Sequence, residues 1–321
     1  MNKGLVTAAL SSILLLTGSL AAVDWKAPRT PWGDPDLQGT WSTEAELSVP
    51  FERPARYGSR QWLTDEEYID RQRQTESQLR QDNAEFDLDH ADISNAGAVG
   101  SATSPPPHWL ERRETSHRTS IVIDPPDGRL PALTPEARRR MASTPRGSFS
   151  AGPYSGPEDM SMWDRCITRG MPSAMFPTVY NANTRIMQGP GYVALTYEMI
   201  HDTRLIPFDG GAHMGPAIRQ YFGDSRARWD GDTLVVDVTN FTPKSNYRGS
   251  SAALHLTERF HRISGDTVRY EVTVEDPFTW AEKWTAALDL RLQGAGMFEY
   301  ACHEGNYALT NMLRTARTAD R

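Results

Sequence analysis

The amino-acid sequence predicts a mainly β protein, an antiparallel meander curled into a barrel or half-barrel, with an N-terminal arm and a few short helices. Three observations carry this expectation. Arg228-Trp-Asp-Gly-Asp-Thr-Leu-Val-Val-Asp-Val-Thr239 recurs as Arg262-Ile-Ser-Gly-Asp-Thr-Val-Arg-Tyr-Glu-Val-Thr273, an offset of 34 residues. Each copy reads as strand, tight turn, strand, with Asp230-Gly231 and Ser264-Gly265 supplying the positive φ of a two-residue hairpin turn. After each turn apolar residues alternate, Leu234, Val236, Val238 and then Val268, Tyr270, Val272, Val274, as in strands with one buried face. Such a sheet must curl or be covered, because free edges invite aggregation.

The chain opens on Met1-Asn2-Lys3, then an apolar run from Leu5 to Leu16 and a small-residue site at Ser19-Leu20-Ala21. This pattern predicts a secretory leader over 1–21, cleaved after Ala21 or Ala22. The run is short of the roughly 20 apolar residues that a spanning helix needs, and no later stretch is apolar enough to cross a bilayer. Residues 22–158 read as an arm, helices and loops packed on the body. Its first part, Trp25 to Thr43, holds Trp25, Trp32 and Trp41, too much aromatic surface to leave in water. Thr64 with Glu67 forms a capping-box signature and opens a helix to about Asn83. Phe86 to Pro107 reads as a mobile loop or lid. Thr119 to Asp124 is a strand ended by the turn Pro125-Pro-Asp-Gly128, and Thr134-Pro135-Glu136 starts a second helix. Residues 159–317 form the barrel-like body. It contains strands at Ile186–Gln188, Tyr192–Ile200, Arg204–Phe208 and Trp280–Leu292, besides the two hairpins, and it ends in a short helix from Gly305 to Arg317.

The full chain carries 34 basic and 41 acidic residues, a net charge of −7. Loss of Lys3 with the leader leaves 33 against 41, or −8. An acidic chain without clustered positive charge is not a nucleic-acid binder. The two cysteines, Cys166 and Cys302, can form one disulfide in an oxidising compartment; two free buried thiols or one catalytic thiol are the alternatives.

Several blocks are similar to one another's counterparts in a known set of proteins. Gly33-Asp-Pro-Asp-Leu-Gln-Gly-Thr-Trp41, Arg118-Thr-Ser-Ile-Val-Ile-Asp-Pro-Pro-Asp-Gly-Arg129, Glu198-Met-Ile-His-Asp202, Gly223-Asp-Ser-Arg-Ala-Arg-Trp229 and Glu299-Tyr-Ala-Cys-His-Glu-Gly-Asn-Tyr307 resemble a large family of uncharacterised exported bacterial proteins. The resemblance covers nearly the whole mature chain. It implies a single unit exported to the periplasm or exterior, and it implies no particular reaction.

Candidate chemistry rests on a few residues. His303 and Glu304, beside Cys302, pair an imidazole with a carboxylate as a general acid or base would require. Glu198, His201 and Asp202 lie at the end of a strand, where alternation sets Glu198 and Asp202 on one side and His201 on the other. A carboxylate buried there has a raised pKa and can carry a proton. Tyr180, Asn181, Tyr247 and Arg248 are polar loop patches able to hold a ligand's polar end, and Trp284 can line its pocket. His201, His213 and His303 together would suit a three-histidine zinc site, but no short ligand motif is present, so no metal is expected. No GxSxG, phosphate loop or dinucleotide fingerprint occurs, so no cofactor is expected either. Three functions fit: a cofactor-independent lyase, isomerase or hydrolase acting on a small, partly apolar compound; a periplasmic binding or carrier protein for a hydrophobic small molecule; or a structural or envelope-assembly protein without a pocket.

Overall fold

A computed structural model describes residues 25–82, 115–144, 147, 154–244, 247–294 and 296–319. The predicted leader and the predicted lid over 86–107 lie outside these residues. In chain order the elements are β1 (Gly39–Ser42), α1 (Asp65–Asp82), β2 (Val122–Asp124), α2 (Pro135–Ser143), β3 (Asn183–Gly189), β4 (Tyr192–Tyr197), β5 (Thr203–Pro207), β6 (Asp224–Asp230), β7 (Thr233–Thr239), β8 (His255–Arg262), β9 (Thr267–Glu275), β10 (Trp284–Leu292) and α3 (Tyr307–Ala319).

The strands form one antiparallel sheet in the order β5-β4-β3-β1-β10-β9-β8-β7-β6, with β2 as an extra partner of β10. Its two edge strands approach each other, and Arg204 on β5 donates to Ser225 Oγ on β6 at 2.9 Å. The result is the expected barrel, nearly closed. The arm contributes more than packing. β1 lies between β3 and β10, so the sheet draws its central link from the N-terminal part of the chain. Trp41 on β1 is fully buried, which explains why this short segment stays in place.

Alternation builds the core as the sequence indicates. On β9 Val268, Tyr270, Val272 and Val274 are buried, and they meet Leu256 and Phe260 of β8 and Leu288 and Leu290 of β10. These side chains fill the barrel. Within them lies a polar knot. Arg204 donates to Glu258 Oε1 and Oε2 at 3.1 and 2.6 Å and to the Tyr197 hydroxyl at 3.0 Å, while the Tyr270 hydroxyl donates to Glu258 Oε1 at 3.0 Å.

Local signals play out in detail. Thr64 and Glu67 form the reciprocal capping box, with Glu67 N–H donating to Thr64 Oγ1 at 3.3 Å and Thr64 N–H to Glu67 Oε2 at 2.8 Å. Thr134 caps α2 through Ala137 N–H at 3.1 Å, with Pro135 at the first helical position. The turns differ from expectation. Asp230 pairs with Thr233, so the β6–β7 turn is Gly231-Asp232, one residue later than read, with Gly231 at φ +59°. The β8–β9 connection is longer than two residues, because Ile263 N–H already bonds Thr267 O, and Gly265 is not among the positive-φ residues. The last strand begins at Trp284 rather than Trp280, which instead bridges to Leu133.

The strand over Tyr192–Ile200 also ends early. Ile200 and His201 adopt φ of +66° and +47°, so the chain leaves the sheet after Tyr197 in a single 3-10 turn. The two-sided alternation expected for Glu198, His201 and Asp202 therefore does not hold, since period-2 geometry requires extended backbone.

Before β10, the turn at Glu44–Glu46 packs Glu46 against the sheet, 1% exposed. Burial pushes the Glu46 carboxyl up to about 7, although Arg118 and the Asp289 N–H pull it back down. A carboxyl raised on folding contributes stability that is fully present below its ordinary value near 4.5 and lost as pH rises through about 7. Glu46→Gln keeps the acceptor for Asp289 N–H. It is expected to stabilise the protein at mildly alkaline pH, by up to about 3 kcal/mol, and to flatten the decline in Tm between those two pH values. Thermal melts across that range check this; an unchanged slope in the variant would remove Glu46 as its cause.

Candidate functional site

The register sets the starts of β3, β5, β6, β8 and β10 at one end of the barrel. The loops at that end enclose a pocket of about 700 Å³. None of its lining residues lies on a strand, so the cavity is beside the filled barrel rather than within it. Its walls come from segment 158–180 and from Lys244, Tyr247 and Arg248, with Leu47 and Thr144 at the margin. Met171 separates the two regions: it lines the pocket, and its Sδ lies 3.7 Å from the Tyr197 hydroxyl and 3.8 Å from Arg204 Nη1 of the buried knot.

The 161–170 segment is a loop held by many local bonds. Ser161 Oγ donates to Asp164 Oδ2 at 2.7 Å, Cys166 N–H to Trp163 O at 2.9 Å, and Gly170 N–H to Thr168 Oγ1 at 2.9 Å. Cys166 itself sits at φ +55°, a left-handed conformation that L residues rarely adopt. The Cys166–Cys302 disulfide, with a Cα separation of 5.7 Å, ties it to the C-terminal segment. That distance falls within the usual range for such bridges. Asn306 adds a second tie, its Nδ2 donating to Asp164 O at 3.0 Å and Cys166 Sγ at 3.4 Å. Arg165 and Arg169, which flank the cysteine, thereby gain fixed backbones.

The opposite wall rests on an aromatic cluster. Tyr247 packs near Phe176, Trp280 and Trp284, with ring centroids 6.0, 6.4 and 6.2 Å away. Arg248 lies over the Phe51 ring at 4.7 Å and over Tyr247 at 5.7 Å. Burial pushes the Tyr247 phenol up to about 12, with Arg248 pulling it down. Burial and Tyr300 likewise push the Tyr180 phenol up to about 12. Both phenols therefore stay protonated near neutral pH and can donate hydrogen bonds.

Tyr180, Tyr247 and Arg248, read as ligand-binding residues, come together in this lining. Asn181, at φ +50°, faces a smaller recess with Glu198 instead. Trp284 is fully buried and supports the wall from behind through Tyr247. Among the catalytic candidates, His303, Glu304, His201, Asp202 and Glu198, none lines the larger pocket. His303, Glu304 and His201 are exposed, and His201 Nδ1 lies 3.1 Å from Tyr300 O. Glu198 is buried and structural: it accepts from Asn183 Nδ2 at 2.6 Å and Phe298 N–H at 2.6 Å. Asp202 is half-buried, and burial raises its pKa, with a Thr168 hydrogen bond and His201 opposing. Thr168 also lines the pocket, so Asp202 sits one hydrogen bond behind the wall.

His213 belongs to a separate network. Its ring nitrogens lie 2.9 Å from Asp224 and 2.7 Å from Asp237, and His255 Nε2 lies 2.7 Å from Asp237. Burial of Asp237 is outweighed by the hydrogen bonds from His255 and His213, which lower its pKa. With both nitrogens engaged, His213 is not directed toward His201 and His303, and among the described residues no group of three or more His, Cys, Asp or Glu is arranged to hold a metal ion.

Sequence reading missed Trp163, Arg165, Arg169 and the methionines Met160, Met162 and Met171, which line the same pocket. The signal available was the density of Met, Trp and Arg in 160–171 around a cysteine. Comparisons with protein-family models, curated proteins and solved structures returned no match for this chain.

Proposed function

We propose that this chain is an exported protein of the bacterial periplasm or exterior that binds a small, partly apolar molecule in the pocket at the end of its barrel. One observation carries the reading: a cavity of about 700 Å³ lined by Met160, Met162, Trp163, Met171, Tyr180 and Tyr247, with polar groups interspersed. That size and mixture are those of small-molecule sites, which are mostly apolar with a few convergent polar groups. The bonded cysteines and the leader-like N-terminus support export. Among the described residues no helix is long and apolar enough to cross a membrane. The family likeness to exported bacterial proteins points the same way. Proton-transfer catalysis by His303 and Glu304, or by His201 and Asp202, has less support, since these side chains lie outside the pocket lining.

The test is native mass spectrometry of the protein purified from its own host, with a Val179→Trp variant that narrows the pocket. A retained small molecule is expected, released on denaturation, and about tenfold or more depleted in the variant. A wild-type protein that carries nothing, and whose tryptophan fluorescence is unmoved by a broad panel of apolar and amphipathic compounds, would sink the reading. Turnover of a panel compound that is abolished in His303→Ala would move the assignment to an enzyme.

A further inference from the structure

The pocket is cationic in an acidic chain. Against an overall charge of −7, its lining among the described residues holds Arg165, Arg169, Lys244 and Arg248 and one carboxylate, Glu158. Glu158 is exposed at the rim. None of the four cations forms an ion pair among the described residues. This contrasts with the barrel wall, where Arg118 and Arg269 meet Asp289, Arg226 meets Asp224, and Arg259 meets Asp230.

Arg169 is the most unusual of the four. It lines both the larger pocket and the smaller recess beneath it. Among the described residues its one side-chain hydrogen bond is from Nη1 to the Met199 sulfur at 2.9 Å, a weak acceptor that leaves most of its five donors uncommitted there. Burial lowers its pKa, with Tyr180 and Tyr300 opposing, yet a guanidinium stays charged in proteins. A partly desolvated cation without a carboxylate is costly unless something anionic arrives to pair with it. Protonated Tyr247 adds a neutral hydroxyl to the same lining, and Arg248 brings a further cation lying over the Phe51 ring.

Building on the small-molecule reading above, we infer that the ligand is a monocarboxylate with an aromatic or otherwise apolar body, its carboxylate seated on Arg169 and its body among Trp163, Met171 and Tyr247. The planar fork of arginine matches a carboxylate bidentately, and such charge-assisted bonds are roughly twice as strong as neutral ones. Arg165, one residue before the bridged Cys166, and Arg248 extend the positive field that draws the anion in.

Two isosteric probes test this, naphthalene-2-carboxylate and naphthalene-2-carboxamide, titrated by calorimetry against the full oxidised protein. The carboxylate is expected to bind about tenfold or more tightly than the amide at low salt, with a preference that shrinks as salt rises. In Arg169→Met the two probes are expected to bind alike, with amide affinity retained. Equal binding of both probes by the wild type would overturn the carboxylate assignment and leave the pocket reading intact. Failure of both probes and of the wider panel would overturn the pocket reading and this inference with it. Full retention of the preference in Arg169→Met would remove Arg169 as the anchor. Should that variant fail to fold, the wild-type probe pair and its salt dependence still decide the ligand class.

Discussion

Replacing both cysteines with serine, or adding reductant, is expected to lower Tm by several degrees, up to about 8 °C. The Cys166–Cys302 bridge spans 136 residues, from just before the barrel strands of the body to just after them. Loop-closure entropy for a ring of that length amounts to about 5 kcal/mol, an upper figure because native geometry and residual structure in the unfolded chain reduce it. At about 2.1 cal/mol/K per residue, a chain of about 300 residues shifts Tm by roughly 1.6 °C per kcal/mol, which sets a ceiling of about 8 °C. The bridge also holds Cys166 in its left-handed conformation, which costs on the order of 1 kcal/mol for an L residue. Once released, that residue favours relaxation, and Arg165 and Arg169 lose their fixed positions. Reduction should therefore weaken ligand binding at temperatures where the barrel is still folded. Calorimetry with and without reductant measures the first effect, and titration of the reduced protein the second. A Tm unchanged while thiol assay confirms two free cysteines would mean that Asn306 and the packing of the C-terminal segment already pin this end of the barrel.

Glu258→Ala is expected to cost about 3–5 kcal/mol, a large share of the roughly 5–15 kcal/mol that holds an ordinary protein folded. Glu258 is fully buried and Arg204 nearly so. Burial alone would lower the pKa of Arg204; Glu258 and the Tyr197 hydroxyl beside it reverse the direction and hold it firmly charged. Removing Glu258 strands that charge in an apolar barrel and leaves the Tyr270 hydroxyl without its acceptor. The pair also joins β5 to β8 across the interior, and Arg204 reaches Ser225 on the opposite sheet edge. Its loss is thus felt where the barrel closes. Arg204→Met with Glu258→Leu is expected to recover part of that stability, because an apolar pair removes both buried charges while the Tyr270 hydroxyl still lacks its acceptor. Chemical denaturation of Arg204→Met, Glu258→Leu and the double variant closes the cycle. A double variant as unstable as the single would show that the network supplies closure that packing cannot replace.

The split between legible and illegible features follows from the range of the forces involved. Nearest-neighbour physics was readable in the chain. Alternating Val268, Tyr270, Val272 and Val274 declared a strand with one buried face, Thr64 and Glu67 declared a helix start, and Gly231 marked a hairpin. Two cysteines behind a leader-like N-terminus indicated the bridge. Each of these depends on residues a few positions apart, or on a composition that permits one pairing. The insertion of β1 between β3 and β10 was not readable, because four residues carry too little pattern to name partners more than 140 and 240 positions away. The same limit governed the site. Tyr180, Tyr247 and Arg248 were recognisable as polar loop residues, but only the register that brings the starts of β3 and β8 to one end of the barrel makes them neighbours. His303 stood out for its chemistry beside Cys302, yet the bridge fixes the backbone while the imidazole turns outward to solvent. Arg169 stood out for nothing, since an arginine in a loop is ordinary until its surroundings are known. Its significance lies in the absence of a carboxylate partner among the described residues, a property of three-dimensional company rather than of sequence, because charge pairing acts through space and takes no account of separation along the chain.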